Sequence, residues 1–290
     1  MKLNETQRQA VTHTGSPLLI IAGAGTGKTT VVTQRIEYLV TKKDVKPDEI
    51  LALTFTEKAA NEMVERLDQV MPYGYEEPWI STFHSFCDRV LRIEGLEIGL
   101  STDYTILPTA RQWLLMKKNL FDLGLKHYLP LNNPNKFIHA LLTLFSRLQD
   151  EDVTPAELDN YQFSIINDQL TRDNKYEEVL NAYRKYQALK LEENVLDFGD
   201  LNWWVLKLFR ERPAILDKYR RKFKFVLVDE FQDTNFAQLQ LIKLLCPSSS
   251  MENEESRIEN NGGSFPQLTV VGDDDQCLPG DTSIALPNNK

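Results

Sequence analysis

The chain has 290 residues, enough at roughly 100 to 200 residues per domain for about two domains. Hydrophobic residues make up 42% and charged residues 26%, with 13 Gly and 13 Pro, a balance that excludes collagen-like, disulfide-scaffold and wholly disordered chains. Lys and Arg number 33 against 42 Asp and Glu, and the formal net charge of −9 argues against coating nucleic acid or lipid by bulk attraction, so any polyanion must enter a local groove.

The opening residues, Met1 to Gln7, carry no apolar signal region, and apolar stretches such as Pro17 to Ala22 are far too short for a membrane span. Cys87, Cys246 and Cys277 are far apart and form no Cys-x-x-Cys or zinc spacing. A cytoplasmic chain with reduced thiols is the expectation.

Leu18 to Ile21 is a short apolar run closed by Gly23 and Gly25, after which Val32, Ile36, Leu39 and Val40 recur at helical spacing. The pattern repeats with a strand at Ile50 to Phe55 and a helix carrying Met63, Val64, Leu67 and Val70 on one face. Strands alternating with helices predict an α/β fold with a parallel sheet. From about Thr109 to Lys222 the strand signals fade, and Phe137, Ile138, Leu141, Leu142, Phe145 and Leu148 keep helical spacing. Strands resume at Phe223 to Val228 and Leu268 to Val271. The expected organisation is therefore a discontinuous sheet domain (1–108 and 223–276) interrupted by an all-helical subdomain (109–222). Residues 247–267, rich in Glu, Asn, Ser and Gly, read as a flexible surface loop.

Ala22-Gly23-Ala24-Gly25-Thr26-Gly27-Lys28-Thr29, running on into Thr30, follows the first strand and opens a helix. It is a P-loop with Ala in place of the first Gly. Its glycines let backbone N–H groups approach phosphate oxygens, and the helix N-terminus adds its positive dipole end. Lys28 is the candidate for the β and γ phosphates of ATP, and Thr29 for Mg²⁺. The strand ending Val228-Asp229-Glu230 delivers two acids at its C-terminal end, where open parallel sheets bind ligands. Asp229 is the second candidate for Mg²⁺, and Glu230 for the general base that orients water, which suits hydrolysis better than a kinase.

Asp229-Glu230-Phe231-Gln232-Asp233-Thr234-Asn235, with Thr54-Phe55-Thr56-Glu57-Lys58-Ala59-Ala60 and Val271-Gly272-Asp273-Asp274-Asp275-Gln276, resembles the UvrD/Rep/PcrA group of superfamily 1 DNA helicases. Leu3 to Gln7, Ser81 to Ser85 and Asp197-Phe198-Gly199-Asp200-Leu201 match the same pattern in order. The resemblance implies a P-loop (RecA-like) sheet domain interrupted by a helical subdomain, using ATP and Mg²⁺ to move 3′ to 5′ on single-stranded DNA. It implies that Gln7 reads the adenine edge, that Arg35 lies against the base, and that Gln232 and Gln276 sense the γ-phosphate. Phe55 would stack on a DNA base, with Thr56, Thr82 and His84 near the backbone, a mode that suits an acidic protein. Trp113, Trp203 and Trp204 are expected to pack in the core rather than on DNA.

After Gln276 the family continues Ser-Ile-Tyr, whereas this chain has Cys277-Leu278-Pro279-Gly280-Asp281-Thr282-Ser283-Ile284. That segment resembles the first block of an intein, whose leading Cys attacks its own upstream peptide bond. Residues 277–290 are thus expected to begin an intein. The second RecA-like domain, expected to bring arginine fingers, would lie in a missing C-terminal helicase half, and this chain alone would bind ATP weakly and hydrolyse it slowly. The alternatives are a non-catalytic ATP- or DNA-binding fragment, or a split-intein precursor active only after ligation to a partner chain.

Overall fold

The computed structural model describes residues 3–23, 25–69, 71, 74–159, 174–247 and 265–273. The described elements run α1 (Glu5–Thr12), β1 (Leu18–Ile21), α2 (Lys28–Lys43), β2 (Ile50–Thr54), α3 (Glu57–Asp68), β3 (Trp79–Thr82), α4 (Phe83–Glu94), β4 (Thr105–Ile106), α5 (Thr109–Lys118), α6 (Ile138–Asp150), α7 (Asn174–Glu192), β5 (Val195–Leu196), α8 (Phe198–Glu211), α9 (Pro213–Lys222), β6 (Phe225–Val228), α10 (Phe236–Leu245) and β7 (Gln267–Gly272). They gather into two compact units. Of the described residues, those within 1–83, 218–234 and 245–290 form one, and those within 84–217 and 235–244 form the other.

The first unit is built on a five-stranded sheet in the order β1-β7-β6-β2-β3, parallel at every pairing. A parallel sheet demands crossovers between neighbouring strands, and the chain-distant partners β1 and β7 are joined in register from Leu18 opposite Thr269 to Ile21 opposite Gly272. Interior position explains composition: every residue of Ile50–Thr54 is buried, as a strand covered on both faces requires. Val32, Ile36 and Leu39 of α2 and Met63 and Leu67 of α3 pack with Ile50, Ala52, Leu227 and Val271 in one apolar core. Each such side chain contributes about 1.5 to 3 kcal/mol when fully buried.

One strand of this sheet escapes the sequence pattern. Trp79-Ile80-Ser81-Thr82 pairs with β2 from Leu51 opposite Trp79 to Thr54 opposite Thr82, yet has only two large apolar residues and follows Pro78. It is an edge strand, where a proline just outside costs no ladder bond. Its Trp79 ring meets Phe223 at 5.3 Å and Tyr219 at 6.3 Å, both edge-on.

The second unit is chiefly helical, but not wholly: Thr105–Ile106 and Val195–Leu196 form a two-residue parallel pair inside it. Residues 84–108, read above with the sheet domain, are part of this unit. Its core joins Leu115, Met116, Ile138, Leu141, Leu142, Phe145, Tyr183 and Tyr186, with Trp113 packed against it. The Phe145 ring stacks on Tyr183 and Tyr186 at 4.8 and 5.6 Å. Trp204 is buried, as core packing requires, and touches Trp203 edge-on. Among the described residues no helix is long and apolar enough to cross a membrane.

Candidate active site

The phosphate loop follows β1, held at its start by the Ala22 amide donating to the Gly272 carbonyl at 3.0 Å. Thr26 turns the loop back by donating from both its amide (3.4 Å) and its hydroxyl (2.7 Å) to the Gly23 carbonyl. Gly25 and Gly27 have φ of 75° and 89°, a left-handed backbone that a side chain would strain. Gly27 is the N-cap of α2 and has no side-chain cap, so the first amides of that helix are left for a ligand. Ala24 lies outside the described residues.

Lys28 is buried, with Nζ 3.1 Å from Glu230 Oε2 and 3.5 Å from Asp273 Oδ2. Burial alone would depress its pKa, but the two carboxylates outweigh it and raise it, so the ammonium stays charged. Thr29 donates its hydroxyl to Asp229 Oδ2 at 3.2 Å. Asp229 is only 2% exposed. Burial, then the charge of Glu230, raises its pKa, partly offset by the Glu230 amide, Thr29 and Lys28. A buried carboxylate beside a hydroxyl and a second acid fits Mg²⁺, a hard cation that takes one or two carboxylates and otherwise water and phosphate oxygens.

Glu230 itself sits at φ 50° and ψ 47°, a left-handed conformation that costs a non-glycine residue about 1 to 3 kcal/mol. Gln232 donates to Glu230 Oε2 at 2.5 Å, while its own carbonyl accepts the Asp273 amide at 3.0 Å. One amide side chain therefore ties the acid after β6 to the end of β7. Gln276 lies outside the described residues.

Gln7 is placed against the loop: its Nε2 donates to the Thr26 carbonyl at 3.1 Å, and its Oε1 accepts the Asn4 amide in a capping box that opens α1. Arg35 is elsewhere. It is 1% exposed, and its guanidinium donates to the carbonyls of Ala10, Val11 and His13 and to the Thr269 hydroxyl. A side chain so enclosed, with its Nε and Nη1 hydrogens bonded to other elements, does not lie against a base, which corrects the expectation that the resemblance implied. Thr30 accepts from Arg66 of α3 at 3.2 Å.

Of the residues expected to meet DNA, Phe55 is 51% exposed directly after β2. Thr56 caps α3, its hydroxyl accepting the Ala59 amide at 3.1 Å, so the positive end of that helix lies next to Phe55 in sequence. Thr82 departs from expectation: it is buried, and its hydroxyl donates to Glu57 at 2.8 Å. His84 belongs to the second unit, where its ring meets Phe198 edge-on at 5.5 Å. Phe198 is 49% exposed. Three residues to which the sequence assigns no site role come into view: Arg66, and Asp273 and Phe198, which stand in the family-like motifs. Asp273 had a readable signal, since it is an acid just past an apolar strand, as Asp229 is.

The model of the UvrD/REP helicase N-terminal domain matches residues 3–278. The chain belongs to the UvrD/REP helicase family. Among relatives of this UvrD/REP-type chain, a probable DNA helicase II homolog of Mycoplasma capricolum is 39% identical over 276 residues, covering 95% of this chain and 34% of that protein. The ATP-dependent DNA helicase PcrA of Bacillus subtilis is 39% identical over 277 residues, 95% of this chain and 33% of that protein. PcrA of Staphylococcus aureus is 38% identical over 280 residues, 96% and 34% respectively. The chain thus spans about a third of the length of these curated relatives.

Proposed function

We propose that this chain is the N-terminal, ATP-binding portion of an ATP-dependent DNA helicase that moves, 3′ to 5′, on single-stranded DNA. The observation that carries the reading is the convergence of Lys28, Thr29, Asp229, Glu230, Gln232 and Asp273 at the C-terminal ends of β1, β6 and β7. MgATP, when bound, supplies the phosphoryl group and the cation. Lys28 neutralises phosphate charge; Thr29 and Asp229 hold the cation; Glu230 accepts a proton from water. Gln232 links Glu230 to β7, so a change at the acid is felt at a second strand. Arginine fingers from a C-terminal helicase half, covalent or on a separate chain, would complete the site, a contribution of about 10³ to 10⁵ in rate in related phosphoryl transfer.

The DNA half of the reading rests on Phe55, an exposed aromatic beside a helix N-terminus in an acidic protein. Binding of a labelled oligothymidine, followed by anisotropy, is expected to weaken by about 1 to 3 kcal/mol in Phe55→Ala, the worth of one stacked base. Nucleotide affinity is expected to stay unchanged. Equal oligothymidine affinity of the variant and the parent would remove Phe55 from the DNA surface.

We also propose that residues 277–290, which lie outside the described residues, begin an intein. The helicase match stops at residue 278, beside Cys277, where the intein-like block starts. In that chemistry the Cys277 thiol attacks the Gln276 carbonyl, the peptide N–C bond breaks, and the amine is freed as the thioester forms. Coding DNA that continues past Lys290 with intein sequence and then resumes Ser-Ile-Tyr supports the proposal; coding DNA with neither overturns it.

A further inference from the structure

Helix α1 holds Gln7, yet little apolar burial holds α1. Of its eight residues only Val11 is buried, about one side chain's worth of hydrophobic anchorage. Its start is fixed by the capping box of Asn4 and Gln7. Its end presents the carbonyls that every helix leaves without intrahelical partners. Those carbonyls meet Arg35.

Arg35 comes from the middle of α2. Its Nη1 group shares its hydrogens among Ala10 O at 3.0 Å, Val11 O at 3.1 Å and His13 O at 2.8 Å, and its Nε donates to Thr269 Oγ1 at 3.1 Å. None of these acceptors is a carboxylate. A buried guanidinium facing only neutral oxygens is costly unless something else compensates its charge. Here the negative end of the α1 dipole does so, and a cation at a partly buried helix C-terminus is the arrangement in which that effect is largest. Burial depresses the Arg35 pKa, in keeping with a cation held by dipoles rather than by an acid. The same side chain touches three elements at once: α2, which begins with Lys28; β7, which leads to Asp273; and α1, which carries Gln7.

We propose that Arg35 is a positioning residue for adenine recognition, clamping the C-terminal end of α1 so that Gln7 stays against the P-loop. The inference rests on the proposal that Gln7 reads adenine, but it assigns Arg35 no contact with the nucleotide. Arg35 sets where Gln7 stands. The phosphate-binding residues Lys28 and Thr29 are held by their own helix and by Asp229 and Glu230, so the clamp bears on the base and not on the triphosphate.

The test is competition binding of MgATP and of the magnesium salt of inosine triphosphate, which lacks the adenine amino group, to the 290-residue chain. The parent is expected to prefer ATP by about tenfold, the size of one or two net hydrogen bonds. Gln7→Ala is expected to lose that preference. Arg35→Met is expected to lose it equally while inosine triphosphate affinity stays at the parent value, and the double variant to lose nothing more. Arg35→Lys, which restores a cation at the same depth, is expected to regain part of the preference. Hydrogen exchange is the second arm, with faster amide exchange expected in residues 8–12 of Arg35→Met and no change in β2. If Gln7→Ala keeps the preference, the adenine reading has failed, and exchange alone then decides the clamp. A folded Arg35→Met with full ATP preference, a further loss in the double variant, or unchanged exchange in α1 would each overturn the proposal. Should Arg35→Met not fold, Arg35→Lys carries the same comparison, with parent-level preference and exchange as the overturning result.

Discussion

Glu230→Gln is expected to bind MgATP at least as tightly as the parent chain and, within the assembled helicase, to hydrolyse it about 10²- to 10⁴-fold more slowly, the range for loss of a positioned general base. The two halves of that expectation come from one contact. Glu230 holds Lys28 at 3.1 Å, so the carboxylate competes with phosphate oxygens for the ammonium. Glutamine keeps the shape and an acceptor for Gln232 but gives up the charge, which relieves that competition and also removes the proton acceptor. Asp229 gains as well, since the charge of Glu230 is one cause of its raised pKa. Asp229→Asn is expected to behave differently, losing Mg²⁺-dependent affinity, because its buried oxygen faces Thr29. Calorimetric binding and single-turnover hydrolysis separate the two variants. Weaker MgATP binding by Glu230→Gln would contradict the competition for Lys28, and an unchanged hydrolysis rate would contradict the assignment of Glu230 as base.

Lys190→Met is expected to destabilise the helical unit by about 3 to 5 kcal/mol, the cost of stripping one partner from a buried ion network. Lys190 is fully buried, with Nζ 2.6 Å from both Asp197 and Asp200. Gln149 donates to the same two acids at 3.1 and 2.7 Å, and the Tyr186 hydroxyl donates to Asp197 at 3.1 Å. These bonds join α6, α7 and the N-cap of α8. They also explain Gly199, where a Cβ would come within 2.5 Å of Gln149 Oε1. One ammonium does not serve two carboxylates equally. Burial, then the charge of Asp197, pushes the Asp200 carboxyl up to about 7. Burial opposes ionisation of Asp197 too, but the charge and hydrogen bond of Lys190 prevail and hold its pKa down.

The pH dependence follows from those directions. Asp200, raised from 3.8, contributes stability that is complete below about pH 4 and is lost as pH rises toward 7. Asp197, lowered from 3.8, contributes stability that is present above that value and is lost as pH falls below it. Asp200→Asn is therefore expected to flatten the decline between about pH 4 and 7. Urea unfolding followed by tryptophan fluorescence, with three of the four tryptophans in this unit, reads both variants. A Lys190→Met midpoint equal to the parent's, or an Asp200→Asn profile as steep as the parent's, would contradict the charge assignment.

What was legible in the sequence was local. The strand-loop-helix unit around Lys28 and the acids after β6 each declare themselves within a dozen residues, because apolar runs, glycines and charges there obey backbone rules. What was not legible depended on distant partners. The strand at Trp79 has too few apolar residues to announce itself and becomes a strand by pairing with β2. The β4 and β5 pair joins segments 90 residues apart, as the register of Thr105 opposite Val195 shows. Arg35 was misplaced for a different reason: the family resemblance suggested the nucleotide, although it stands three residues after Val32 and four before Leu39, on the buried stripe of α2. Thr82 likewise ends β3 facing Glu57 rather than solvent.

The measurement that bears most directly on the central claim is calorimetric titration of MgATP into the purified chain and into Lys28→Ala. One site per chain, requiring Mg²⁺ and abolished in Lys28→Ala with the fold intact by circular dichroism, is the predicted result. Absence of binding by the parent chain, or equal binding by Lys28→Ala, would contradict it.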